Sequence, residues 1–167
     1  MSLDTLHENL WTLPDAAQLA AAGVRLVAAG VFGGVLGLDR QLEHKPAGMR
    51  THMLVSVGTA AALIAGIAAG MTSADQSRVL QGVVAGIGFL GAGCIIREAP
   101  GDAHPNVRGL TTAASVWLTA AIGAMAALAP LWLTALATLL AWIILFPLGA
   151  VERFLSGQIS KRRRRDP

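Results

Sequence analysis

Asp39-Arg40, Lys45, Arg50-Thr51-His52 and, farther on, Arg108 with Thr111-Thr112 are the side chains of this 167-residue chain best suited to chemistry. The cations supply donors for an anion, a phosphate group or a partner's acidic side chain. Thr111 and Thr112 stand where they can cap a helix, and the free amides of a helix N-terminus favour negative charge. The same residues also serve as ordinary positive flanks and caps, and the sequence leaves both readings open. A second polar set comprises Arg25, Asp75, Arg78 and Gln81. Arg25 is the one strong charge inside an apolar stretch, about 14 Å from its start. It either snorkels to the nearer surface from a span that begins later, or pairs with Asp75 or Gln81.

No nucleophile and base stand together. The four histidines (His7, His44, His52, His104) are scattered, and Cys94 lies in a glycine-rich apolar setting. An enzyme is therefore not expected. One cysteine also excludes an internal disulfide. Magnesium asks for hard oxygen ligands in octahedral array. Asp39, Glu43, Glu98, Asp102 and Glu152 gather at one boundary of the apolar stretches and Asp75 at the other, with none at mid-depth. If Mg2+ is bound, its ligands are unassigned, and the backbone carbonyls of 86–93 are the substitute on offer.

These residues are positioned by an unusually apolar chain. Hydrophobic residues make up 54% and charged ones 14%, against about 25% charged in ordinary soluble domains. Five stretches (16–38, 53–71, 79–96, 110–128 and 131–150) are each long enough to cross about 30 Å of hydrocarbon as a helix. The expected fold is all-α, a polytopic transmembrane bundle of about five spans over 16–151. The pieces left over are too short to bury a core, which excludes a soluble catalytic domain. Residues 1–15 read as a short interfacial helix, with Ser2 as cap and Leu3, Leu6, Leu10 and Trp11 on one face. They carry Asp4 and Glu8 and no basic run, so a cleavable secretion signal is not expected. Residues 152–167 form a basic tail.

Sorting the 13 Lys and Arg by side sends all but Arg25 and Arg78 to one face. Basic short loops stay in the cytoplasm, so the N-terminus is expected outside and the C-terminus inside. The run Lys161 to Arg165 follows a span directly, where anionic lipid is a nearer partner than nucleic acid. Glycines recur at four-residue spacing (Gly30/Gly34, Gly33/Gly37, Gly66/Gly70, Gly82/Gly86), which lets helix backbones approach within the bundle or across a homodimer seam. The dense segment Gly86, Gly88, Gly91, Gly93 predicts a straight, very close helix crossing; the alternative is an interrupted helix exposing carbonyls along an ion path.

Four strings in order, Gly37-Leu38-Asp39-Arg40, Lys45 through His52, Gly86 through Gly93 and Val107 through Ala114, closely resemble the MgtC/SapB family of bacterial membrane proteins. The resemblance implies an inner-membrane protein of about five spans with a cytoplasmic C-terminus. It also implies a role in growth under magnesium limitation, and either magnesium transport or action on other membrane proteins such as ATP synthase. Two departures matter: Asp39 stands where the family usually has Glu, and the soluble C-terminal domain of longer members has no counterpart here. Function residing in that domain is not carried over. The expected activity is a non-enzymatic regulatory one exerted through the inner polar cluster.

Overall fold

A computed structural model describes residues 14–97 and 107–148. The expected interfacial helix at 1–15 and the basic tail at 152–167 lie outside the described residues, apart from Pro14 and Asp15. Five α-helices follow in order: α1 (Ala16–Leu42), α2 (Met49–Ala68), α3 (Ser73–Gly93), α4 (Leu110–Leu128) and α5 (Leu131–Ile143). A two-residue antiparallel rung, β1 (Ile96–Arg97) against β2 (Val107–Arg108), closes the α3–α4 connection, and α5 runs into a π-helical turn, Ile144–Leu148, that contains Pro147.

Local chemistry explains the boundaries. Asp15 accepts from the Gln18 amide at 2.6 Å and starts α1. Thr72 and Asp75 form a reciprocal capping box that starts α3. Pro130 opens α5 with φ −60°, where its missing N–H costs nothing. The chain reverses between α4 and α5 at Ala129 and Pro130 alone.

Helices α1, α2 and α4 are each long and apolar enough to cross a membrane, and 131–147 adds a shorter apolar helical segment. The fold is an all-α bundle of a membrane protein. Its outer surface is strongly apolar, with Phe89 82%, Leu54 73% and Trp132 68% exposed. An aqueous monomer rarely tolerates so much contiguous apolar surface.

The interior is built from small and hydroxylated residues. Ala29, Ala60, Ala124, Ala126 and Ala127 pack with Leu63 in one cluster, and Leu36, Ile122 and Ala141 in another. Lipid offers no hydrophobic drive between helices, so close approach must supply the attraction. It does so where α1, α2 and α4 meet. A Cβ at Gly33 would stand 2.8 Å from the His52 carbonyl oxygen and 2.8 Å from Ser56 Cβ; one at Gly37 would stand 2.6 Å from Met49 Cα. From the opposite side, a Cβ at Gly123 would collide with the Ser56 carbonyl. The Gly33/Gly37 pair is thus spent inside the bundle.

The glycines of α3 behave otherwise. α3 is one continuous helix, and a Cβ at Gly82, Gly86, Gly88 or Gly93 would meet nothing within 4 Å. Only at Gly91 would a Cβ meet α4, at an ordinary 3.6 Å from Ala113. The very close crossing expected at Gly86, Gly88, Gly91 and Gly93 is therefore not made among the described residues. Nor is the helix interrupted, so its carbonyls are engaged in the helix rather than turned toward an ion path.

A polar node where three helices meet

Helix α2 begins at Met49 and so takes in Arg50, Thr51 and His52, which the sequence had assigned to a loop. Helical periodicity then separates them: Arg50 and Thr51 are exposed, while His52 turns inward and is fully buried. Arg40, in the last turn of α1, is only 5% exposed, and its Nη2 donates to Thr112 Oγ1 of α4 at 3.3 Å. Thr112 and its neighbour Thr111 do not cap α4. The cap position belongs to Gly109 at φ 91°, where any side chain would collide with the Cys94 carbonyl. Thr112 instead lies in the first turn, free to meet Arg40, and Thr111 is exposed.

His52 ties α2 to α4. Its Nδ1 lies 2.9 Å from the Gly48 carbonyl oxygen, which can only accept, so this nitrogen carries a proton. Its Nε2 lies 3.2 Å from Ser115 Oγ, and Ser115 Oγ is also 2.8 Å from the Thr112 carbonyl. The single hydroxyl proton of Ser115 cannot serve both. A neutral ring takes it at Nε2; an imidazolium donates to Ser115 instead, and the hydroxyl then turns to Thr112. The node therefore has two self-consistent hydrogen-bonded states differing by one proton.

Polar residues continue away from the node along the buried faces of α2 and α4. Thr119 donates to the Ser115 carbonyl at 2.8 Å, an internal bond that lets a hydroxyl be buried between helices. Ser56 is fully buried with no partner for its Oγ among the described residues, and the same holds for Thr134 Oγ1 in α5. Because the Ser56 hydroxyl makes no bond to lose, Ser56→Ala should shift the unfolding midpoint in micelles by no more than about 0.5 kcal/mol equivalent. A loss of several times that would mean the hydroxyl is engaged.

The remaining candidates are placed as follows. Lys45 is exposed and pairs with Glu43 at 3.8 Å. Arg108 is exposed in β2, and Asp39 occupies the helix position before Arg40. Asp75 is bound to Thr72, and Arg78 and Gln81 are exposed on α3. The pairing of Arg25 with Asp75 or Gln81 is not made. Arg25 Nη1 instead donates to the carbonyls of Ala126, Ala127 and Ala129 at 2.9, 2.8 and 3.2 Å. These belong to the C-terminal end of α4, whose last carbonyls lack helical partners and carry the negative end of the helix dipole. Sequence spacing held no sign of this, since the contact crosses about a hundred positions. Gly123 and the inward hydroxyls Ser56, Ser115 and Thr119 were likewise unmarked; a serine–threonine period on α4 is the signal that could have found the latter.

The donor set among the described residues offers no cluster for a resident magnesium ion. Among the described residues no three His, Cys, Asp or Glu side chains converge, and the buried node is centred on a cation, Arg40.

Residues 26–154 match the family model described as the MgtC family. The chain belongs to the MgtC family. Among its relatives, the protein named SrpB of Synechococcus elongatus is 48% identical over 109 residues, covering 60% of each chain. MgtC of Brucella abortus is 43% identical over 109 residues, 64% of this chain and 42% of that one. A protein of Escherichia coli K12 named putative magnesium transporter YhiD is 39% identical over 107 residues, 60% of this chain and 47% of that one. The alignments thus span about half the length of these relatives. No solved structure matches. Three of the four MgtC-like strings, at 37–40, 45–52 and 107–114, each contribute a residue to the node: Arg40, His52 and Thr112.

Proposed function

We propose that this is a non-enzymatic, multi-pass protein of a bacterial inner membrane with a regulatory role in magnesium limitation. Its polar node faces the cytoplasm, a placement supported by the distribution of basic residues. The activity is exerted by coupling the state of the node to the packing of α1, α2 and α4, and so to contacts with membrane partners. A second copy or a larger membrane assembly such as ATP synthase is the class of partner this calls for. The observation that carries the reading is the burial of Arg40 and His52 in hydrogen bonds that join three helices. A buried, hydrogen-bonded cation beside a two-state imidazole responds to its surroundings as a unit, whereas a positive flank alone would be solvated. The name of the Escherichia coli relative, putative magnesium transporter YhiD, supports the physiological setting. Transport through α3 has no support in an unbroken helix.

The test pairs two assays. In a strain lacking its own copy, His52→Ala and Asp39→Ala should fail to restore growth at low magnesium, at wild-type protein levels in the membrane. Wild-type proteoliposomes loaded with a magnesium-sensitive dye should show no influx above empty vesicles. Protein-dependent influx would overturn the regulatory reading in favour of transport.

A further inference from the structure

Arg25 poses a problem that its three carbonyl contacts solve only in part. The α4–α5 turn it reaches lies well short of the end of α1, which continues about 14 Å beyond Arg25 to Ala16. The guanidinium thus sits at the end of α4 remote from the polar node. Its Nη1 hydrogens are taken by Ala126, Ala127 and Ala129. Its Nε and Nη2, with three further hydrogens, have no hydrogen-bond partner among the described residues, and no described carboxylate forms an ion pair with it. Carbonyl dipoles orient a cation but do not neutralise it, and a half-buried charge without a counter-ion is costly.

The same guanidinium lines an open cavity of about 340 Å³ whose other walls are Ala20, Ala21, Val24 and Leu131. The walls are apolar and the one polar contributor is cationic. A wholly polar anion would leave those walls unsatisfied; a wholly apolar ligand would leave the charge.

We propose that this recess is a binding site for one phospholipid, its phosphodiester on Arg25 and the start of an acyl chain along Ala21, Val24 and Leu131. A phosphodiester presents two oxygens at the spacing of the guanidinium fork, and a planar Arg takes them side by side. The volume is at the small end for ligand pockets, enough for the headgroup junction and the first part of one chain. The lipid would neutralise Arg25 and pin α1 to the α4–α5 turn.

Native mass spectrometry on the full chain, stripped of lipid in detergent, tests this with phosphatidylglycerol, diacylglycerol of the same chains, and inorganic phosphate as probes. One added phosphatidylglycerol should bind per chain, diacylglycerol should bind at least about tenfold more weakly, and inorganic phosphate should not displace the lipid. Arg25→Gln should lose the bound lipid and Arg25→Lys should recover part of it. Since Arg25 also caps α4, Val24→Trp provides a second variant that fills the recess and keeps the charge; it should lose the lipid with its helical content intact. Retention by Arg25→Gln or by Val24→Trp, equal binding of diacylglycerol, or displacement by phosphate would overturn the proposal. So would lipid binding that arises only after residues 1–13 are deleted, because the recess would then be occupied by the chain's own N-terminus.

Discussion

Gly123→Val should leave almost no folded bundle to purify. Even a single carbon at this position would collide with the Ser56 carbonyl and stand 2.9 Å from Ser56 Cα, so the obstacle is the α2 backbone rather than a side-chain tip. Neither helix can yield locally. Ser56 is held from the other side by α1, where Gly33 meets its Cβ, and displacing it opens all three interfaces at once. Overpacking of an ordinary core costs about 1–3 kcal/mol. A clash with helix backbone at a three-helix crossing should exceed that and take most of the roughly 5–15 kcal/mol by which a domain is stable. The measurement is the monodisperse fraction in detergent chromatography beside wild type. Gly86→Ala is the control: its Cβ meets nothing within 4 Å, so it should purify as well as wild type or better. Equal yields from Gly123→Val and wild type would refute the crossing. A collapse of Gly86→Ala would place a partner on α3, as the homodimer expectation has it.

Arg40→Leu should abolish rescue of growth at low magnesium while the protein remains in the membrane. The leucine keeps bulk at a site only 5% exposed and removes the cation that bonds Thr112. Replacing a whole buried ion pair with apolar volume is often tolerated, whereas removing one member is costly, so the protein level in the membrane is measured beside growth. The lost function is the charge-assisted link between α1 and α4, worth about 1.5–3 kcal/mol and so at least about tenfold in the balance between node states. Arg40→Lys should rescue incompletely, since a point charge on a flexible stem does not reproduce the planar fork. Arg50→Ala, two positions from His52 but exposed, should have a milder effect than Arg40→Leu. Full growth with Arg40→Leu at normal protein level would remove the node from the function.

The contrast between Arg40 and Arg50 also marks how far residue types alone could be read. Both lie in the strings that resemble the family, and both count equally as basic residues near a span. Helix α2 starting four residues before the apolar stretch at 53 is what turns His52 inward and Arg50 outward. Gly33 and Gly86 make the same point: each sits in a four-residue glycine pair, yet one is indispensable to a crossing and the other faces open space. Spacing states that an approach is permitted; only a neighbour makes it required.

Apolar length and the gathering of basic residues were enough, without coordinates, to define an all-α membrane protein and the segments from which its helices come. Those properties are sums over many residues, and the bilayer imposes them on any chain that crosses it. The destination of Arg25, the joining of Arg40, His52, Thr112 and Ser115, and the demand for Gly123 were decided by tertiary structure alone. Each depends on which faces of separate helices meet, and at what level. Contacts across seventy to a hundred positions leave no trace in local periodicity.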